Sequence, residues 1–186
     1  NVFGIPLSQV EVDEDEEMPL IWVHLISVLE SHACDTKGLF RVTASTAAID
    51  ELITRYEAGE DIDWNEIDDK HLVGGVLMAF LLRLPEPLIP FSIYDKLIEV
   101  AMSDKDKETK LYNIKPILQE LPTLNRTMLE VLGDFLDTLT RDADDNMMTA
   151  DNLAICFAPG LMRREVEELT QLMKESPFVN EIVSAV

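Results

Sequence analysis

The sequence predicts an all-α fold. Its dominant hydrophobic period is close to 3.6 residues rather than 2, as in helices that bury one face. Only seven of its 186 residues are glycine, which fits helices joined by a few irregular loops. With 47% apolar residues the chain can bury one sizeable core, so we expect a single domain over residues 1–186. Because it begins at Asn1 without a signal-peptide pattern, we expect a fragment of a longer protein.

The first predicted helix follows an acidic run at residues 13–17, which we interpret as a solvated loop. Pro19 suits the first turn of a helix, and the helix is predicted to reach His32. Its apolar stripe consists of Ile21, Leu25, Val28 and Leu29.

A turn at residues 35–38 and a loop around Arg41 separate the first helix from the second. Ser45 is the expected N-cap of the second helix because its hydroxyl can accept a hydrogen bond from a free backbone N–H. This helix is predicted to reach Tyr56 and to end near Gly59.

The third predicted helix is central in the bundle. It begins at Asp68 or Asp69, and its body over residues 72–84 is apolar nearly all round. The Gly74–Gly75 pair lowers helix propensity by about 1 kcal/mol per glycine, so we expect a close backbone approach there. The Pro-Glu-Pro sequence at residues 85–87 ends the helix.

A fourth helix is predicted to begin at a Ser92 cap. Its apolar residues are Tyr94, Leu97, Ile98 and Ala101. Residues 104–110 are charged, and we interpret them as an exposed connection. Pro116 limits or kinks any helix over residues 111–121.

The last third of the chain begins with a strongly amphipathic helix. Its apolar residues are Met128, Leu129, Leu132, Leu136 and Leu139. An acidic turn follows at residues 142–146, and Thr149 then opens a short helix that Pro159 is expected to stop. Residues 165–186 predict a closing helix that Pro177 interrupts.

The charge of the chain restricts its partners. It has 15 basic and 36 acidic residues, and the net charge of −21 repels phosphate backbones and anionic lipid headgroups. We therefore expect no nucleic-acid partner and no insertion into a membrane. The acidic surface suits a positively charged protein partner, although the same charge can serve only to keep a helical domain soluble.

Two further features favour a cytoplasmic location. The longest uncharged apolar run, residues 72–82, is well below the roughly 20 residues that cross a bilayer. Cys34 and Cys156 stand beside apolar residues, which is typical of buried free thiols in a reducing compartment. Any recruitment to a membrane is then expected from other parts of the full-length protein.

The sequence contains no pattern for catalysis within this chain alone. His24, His32 and His71 lack metal-type spacing with the cysteines. The acidic turn resembles a calcium loop only superficially, because Met147 and Leu153 replace the required glycine and bidentate glutamate. Phosphate-binding loops and nucleophile elbows are missing from the sequence. Any catalysis must therefore complete the site of another protein.

One arginine is unusual in its surroundings. Arg41 lies in the nearly chargeless stretch of residues 38–45, which a glycine and small polar residues bound as in a tight loop. Apolar neighbours solvate a guanidinium poorly, so this group either pairs inside the fold or reaches an anion outside it. From the residues alone both alternatives stay open.

Five segments carry a resemblance to a known family. They are residues 3–7 (FGIPL), 38–42 (GLFRV), 80–90 (FLLRLPEPLIP), 121–125 (LPTLN) and 146–159 (NMMTADNLAICFAP). In this order, over essentially the whole chain, they resemble the GTPase-activating domain of the Rho family, the RhoGAP domain.

The resemblance implies about nine helices around a four-helix core. It further implies a monomeric domain that acts on the GTP-bound form of Rho, Rac or related small GTPases. The GTPase holds GTP and magnesium, so this chain is expected to carry no cofactor of its own. It is not an enzyme by itself but inserts an arginine that is worth roughly 10³ to 10⁵ in rate.

The resemblance also assigns site residues. Arg41 falls on the position of the catalytic arginine finger. Asn152 matches an asparagine that hydrogen-bonds the GTPase, although a local capping contact is the alternative. Ile155 and Pro159 would form an apolar patch for the switch segment of the partner, or else belong to the core.

Three positions depart from the family pattern. Met78, Leu82 and Met147 stand where the family usually has lysine, arginine and lysine. Arg83 cannot replace the missing arginine because it lies about 100° around the helix. We assign Met78 to the partner-binding surface. The missing cations motivate an alternative function, a module that binds the GTP-bound switch regions without catalysis.

Overall fold

The structure is a computed structural model, and it describes residues 1–166 and 168–186. Within these residues it contains nine α-helices and no β-strand, which confirms the all-α prediction. The helices are α1 (Leu20–His32), α2 (Thr46–Glu57), α3 (Lys70–Arg83), α4 (Phe91–Met102), α5 (Lys107–Leu118), α6 (Thr123–Arg141), α7 (Ala143–Asn146), α8 (Ala150–Leu161) and α9 (Leu169–Ala185). None of the described helices is long and apolar enough to span a bilayer.

Four helices form the centre of the bundle. Helix α3 packs against α1 and α8, and α6 packs against the same two helices from the other side. Trp22 of α1 is fully buried, and its ring centroid lies 5.8 Å from that of Phe80 on α3. The remaining helices pack around these four, and α9 lies against both α4 and α8. The core therefore has the four-helix arrangement that the family resemblance implied.

Side-chain caps determine where several helices begin. Ser45 accepts from the N–H of Ala48, and Asp69 accepts from the N–H of His71, as the sequence predicted for α2 and α3. Asp106 caps α5 in the same way through the N–H of Thr109. Because this cap starts α5 at Lys107, the prediction that residues 104–110 are an exposed connection between helices is wrong for its second half, which is helical.

The predicted Ser92 cap is also wrong. Helix α4 already begins at Phe91, directly after Pro90, whose φ of −60° suits the entry to a helix. The carboxylate of Glu86 accepts a hydrogen bond of 3.0 Å from the N–H of Phe91. This contact comes from outside the helix and makes a cap at Ser92 unnecessary.

Proline does not end the last two helices. Pro159 lies inside α8 and Pro177 inside α9, so the predicted stop and interruption are both wrong. Each proline removes one backbone hydrogen bond, but both are exposed, and water can hydrate the carbonyl that loses its donor. The predicted turn at residues 142–146 is likewise the single helical turn α7. Glu167, within the predicted closing segment, lies outside the described residues.

A buried carboxylate attaches α9 to the rest of the bundle. Glu175 is only 6% exposed and accepts two hydrogen bonds of 2.9 Å from Arg164. Tyr94 and Gln171 donate to the same carboxylate at 3.0 and 3.1 Å, and Arg164 also pairs with Asp95 at 2.8 Å. The bidentate contact with Arg164, together with these donors, lowers the pKa of Glu175 to about 2.

Replacement of Glu175 tests this attachment. Because the folded pKa lies below the ordinary value of 4.5, the ionised carboxylate stabilises the fold above that pH and this contribution is lost as pH falls toward 2. We expect Glu175→Gln to lower the free energy of unfolding by about 1 to 3 kcal/mol at pH 7. Urea unfolding should show the difference from wild type shrinking between pH 5 and pH 2.

Glu120→Gln is the matched control. Glu120 forms an exposed pair with Lys96, so its replacement should change the free energy of unfolding by less than about 1 kcal/mol. A difference between wild type and Glu175→Gln that is as large at pH 2 as at pH 7 would contradict the assignment.

Candidate functional site

The Arg41 loop, defined as residues 38–45, begins with a tight turn. Gly38 has a φ of +70°, a region that L-residues rarely adopt. Its carbonyl accepts hydrogen bonds from the N–H groups of Arg41 and Val42 at 2.9 and 2.8 Å. Its own N–H donates to the carbonyl of Asn146 at 2.8 Å. The start of the loop is therefore fixed both within itself and to the segment before α8.

Phe40 anchors the middle of the loop. Its φ is +71°, a left-handed conformation that costs a non-glycine residue about 1 to 3 kcal/mol. The ring is held by two neighbours, Phe157 at 4.7 Å and Phe135 at 6.1 Å between centroids. A Cβ at Gly74 would lie 3.2 Å from the Phe40 ring, so the glycine on α3 makes room for it. Aromatic packing thus offsets the backbone strain.

Arg41 lies on the outside of this anchored turn. Its side chain is exposed, and it makes no hydrogen bond or ion pair with the described residues. The guanidinium lies over Gly38, where Nη2 and Nε would be 3.7 and 3.8 Å from an added Cβ. Of the two alternatives from the sequence, the geometry matches the one in which this group faces outward.

Helix α8 presents a stripe of side chains along one face. Asn152, Ile155, Cys156 and Pro159 follow the i, i+3, i+4, i+7 spacing of one helix face. Ile155 is 59% exposed and Pro159 is exposed, so neither belongs to the core. Burial raises the pKa of the Cys156 thiol, while the positive charge of Arg41 acts to lower it. Phe157, the next residue along α8, contacts Phe40 of the Arg41 loop at 4.7 Å between ring centroids, so the loop lies against this helix.

Asn152 makes the local contacts that the sequence left open as an alternative. Its backbone N–H donates to the Thr149 hydroxyl at 3.3 Å, and its side-chain Nδ2 donates to the Met147 carbonyl at 3.2 Å. Its Oδ1 accepts no hydrogen bond from the described residues. The amide is therefore held in one orientation while its oxygen keeps its accepting capacity.

The three positions that depart from the family pattern differ in exposure. Leu82 and Met147 are 50% and 55% exposed, whereas Met78 is half-buried and packs against the core. Met78 lies one turn after Gly74, on the part of α3 that meets the Arg41 loop. Arg83 forms an ion pair with Asp50 of α2, so it does not replace a cation at the Leu82 position.

Asn146 is a buried polar residue whose importance the sequence did not predict. Its Nδ2 donates to the carbonyls of Cys34 and Leu139, both at 2.8 Å, and its Oδ1 accepts from the N–H of Met148 at 2.8 Å. Its backbone carbonyl also accepts from Gly38. Asn146 and Cys34 are 112 positions apart, a separation that no local pattern reports.

Two grooves border Ile155 on the surface of α8, and one of them also reaches Pro159. Among the described residues, no three His, Cys, Asp or Glu side chains group as a metal site. A groove of about 220 Å³ leads from Ile155 and Pro159 to Leu172 and Glu175 of α9. It is partly open to solvent, so the candidate site is not a closed pocket.

Comparison with known proteins gives consistent matches. The RhoGAP domain family matches residues 19–166. Rho GTPase-activating protein gacY of Dictyostelium discoideum is 31% identical over 187 residues, which cover 100% of this chain and 26% of that protein. Rho GTPase-activating protein 1 of Homo sapiens is 32% identical over 162 residues, or 86% of this chain and 36% of that protein. The chain thus spans well under half of each relative.

Solved structures share the fold. The crystal structure of human Rho GTPase activating protein 15 superposes with a TM-score of 0.89 at 30% identity, covering 100% of this chain and 88% of that chain. The BH domain from GRAF, the GTPase regulator associated with focal adhesion kinase, has a TM-score of 0.78 at 22% identity, with 93% and 91% covered. The second similarity is one of fold alone.

Replacement of Gly74 tests how the loop is anchored. An added methyl group would press on the Phe40 ring at 3.2 Å and on Leu39 at 3.4 Å. We expect Gly74→Ala to lower the free energy of unfolding by about 1 to 3 kcal/mol through overpacking, although alanine is the better helix former. Chemical unfolding and the amide resonances of residues 38–45 measure the two effects.

Gly133→Ala is the control for helix propensity. Its Cβ would meet only the carbonyl of the terminal Val186 at 3.3 Å, which can shift, so we expect a gain of up to about 1 kcal/mol. Equal stabilisation by both substitutions would show that Gly74 makes no room for Phe40.

Proposed function

Because the chain belongs to the RhoGAP domain family, we propose that it activates a Rho-family GTPase in its GTP-bound form by supplying Arg41 in trans. The observation that carries the proposal is the outward Arg41, which has no partner among the described residues and sits on a loop fixed at Gly38 and Phe40. GTP and magnesium belong to the partner, and this chain contributes no cofactor. In this view the domain is an activator that completes the partner's active site.

The chemistry of the guanidinium explains the proposed acceleration. Negative charge moves among the phosphate oxygens as GTP is hydrolysed, and a planar group with five donors can neutralise it through two parallel hydrogen bonds. A rate effect of roughly 10³ to 10⁵ corresponds to about 4 to 7 kcal/mol of transition-state stabilisation. Because the loop is already fixed, it does not need to become ordered when the transition state forms.

The α8 stripe supports docking of the partner. Asn152 offers its Oδ1 from a side chain that the Met147 carbonyl already orients. Ile155 and Pro159 offer exposed apolar surface, whose burial contributes about 25 cal/mol per Å². Met78 packs against the core on α3, one turn after the Gly74 that makes room for Phe40, and exposes part of its side chain for the partner.

A second function has an observation in its favour. Three positions that usually carry cations in the family hold uncharged residues here, namely Met78, Leu82 and Met147. They therefore add no positive charge to a surface that would bind a GTP-loaded partner. A domain of this kind can bind the switch regions of the GTP-bound GTPase without accelerating hydrolysis. The two functions differ in what the arginine contributes, which can be measured directly.

Replacement of Arg41 separates the two functions. The measurement is single-turnover GTP hydrolysis by Rho and Rac proteins at a saturating concentration of the domain. We expect Arg41→Ala to lower the stimulated hydrolysis rate by at least about 10²-fold. Arg41→Lys should recover little, because a point charge lacks the bidentate geometry. Binding to the GTP-loaded GTPase should change much less than the rate.

Arg55→Ala is the matched control, because Arg55 is an exposed arginine that pairs with Glu60 away from the loop. It should leave both rate and binding unchanged. If wild type binds GTP-loaded Rho or Rac but accelerates neither, the non-catalytic function is correct.

Replacement of Asn152 tests docking. We expect Asn152→Ala to weaken binding of the GTP-loaded GTPase by about tenfold, because the variant loses one hydrogen bond to the partner. Thr149→Ala removes the cap of the same helix and should cost about 1 kcal/mol of stability without weakening binding. Equal loss of affinity in both variants would mean that Asn152 acts only as a capping residue.

A further inference from the structure

We propose that Asn146 is a positioning residue that couples the Arg41 loop to α8, so that Arg41 and Asn152 approach the GTPase in a fixed relation. The inference rests on the proposed function and deepens it. Asn146 is fully buried and does not touch the partner-facing surface. Its effect on hydrolysis must therefore pass through the residues that it holds.

The side chain of Asn146 is fixed by three segments. Both contacts of Nδ2 are with backbone carbonyls, that of Cys34 just after α1 and that of Leu139 near the end of α6. The Leu139 carbonyl otherwise accepts only a long bond of 3.4 Å from the N–H of Asp142, so the amide adds a stronger donor at the end of α6. Oδ1 accepts from the N–H of Met148, which leads into α8. Every hydrogen-bonding direction of the amide is thus restrained.

The backbone next to this side chain reaches both functional residues. The carbonyl of Asn146 accepts from Gly38, whose own carbonyl accepts from Arg41. The following residue, Met147, has a left-handed φ of 63°, and its carbonyl accepts from Nδ2 of Asn152. Two consecutive residues therefore carry hydrogen bonds toward Arg41 on one side and to Asn152 on the other.

No other side chain of this size satisfies the same groups. Aspartate keeps the acceptor for Met148 but turns an oxygen toward the carbonyls of Cys34 and Leu139. Alanine removes all three hydrogen bonds and leaves the Leu139 carbonyl with only the long 3.4 Å contact from the N–H of Asp142. Either change frees the Asn146–Met147 backbone to move and with it the Gly38 end of the Arg41 loop.

The test is a double-mutant cycle in single-turnover GTP hydrolysis with a Rho-type GTPase. Asn146→Asp and Asn146→Ala are each compared with wild type at saturating domain, with rates normalised to the folded fraction. We expect a loss of about tenfold or more, because a shift of about 1 Å at a catalytic group has effects of this size. In an Arg41→Ala background the same substitutions should change the rate less than about twofold.

Leu97→Ala is the control for destabilisation alone. Leu97 is fully buried in α4, which packs on α5 and α9 rather than on the loop. In each background, the rate per folded molecule should equal that of the parent protein without the Leu97 substitution. Equal losses with and without Arg41, or full activity of a folded Asn146 variant, would overturn the positioning role. A wild-type domain that accelerates nothing would instead overturn the proposed function.

Amide hydrogen exchange of the wild-type protein gives an independent test if both Asn146 variants fail to fold. The Gly38 N–H, which donates to Asn146, should exchange at least about 10²-fold more slowly than the Thr43 N–H of the same loop. The Thr43 N–H donates no hydrogen bond to a backbone carbonyl of the described residues. Equal exchange of the two amides would mean that Asn146 does not hold the loop.

Discussion

The hydrogen bonds of one buried amide hold the candidate site together. Asn146 satisfies carbonyls at the ends of α1 and α6, and through its backbone it also holds the first residue of the Arg41 loop. Because α1 and α6 belong to the four-helix core, the site is tied to the most buried part of the fold. In the proposed function, the buried residue that orients Arg41 is then different from the exposed residues that would touch the partner.

Local chemistry predicted most of the helices. Apolar periodicity located the bodies of α1, α3 and α6, and oxygen-bearing side chains located the starts of α2 and α3 at Ser45 and Asp69. Gly74 and Gly75 were expected at close approaches, and their added Cβ atoms would meet Phe40 and Ile49. These features depend on residues a few positions apart, which is the range that sequence patterns describe.

Other features depend on contacts across the fold. Pro159 and Pro177 stay inside helices because α8 and α9 pack along much of their length, and packing outweighs one lost hydrogen bond. The left-handed Phe40 and the buried Asn146 rely on partners that are far away in the chain. For the site, the sequence indicated Arg41 and Asn152 through resemblance, but not what holds them in place.

Phe40 combines backbone strain with tight packing, and these two properties constrain substitutions at this position. Glycine at this position would relax the backbone but leave the space beside Phe157 empty, whereas another large side chain would fill that space and keep the strain. No single replacement improves both properties, so the position is a local optimum. A substitution that relaxed the backbone at Phe40 and kept the packing would need a second change at Phe157 or Gly74.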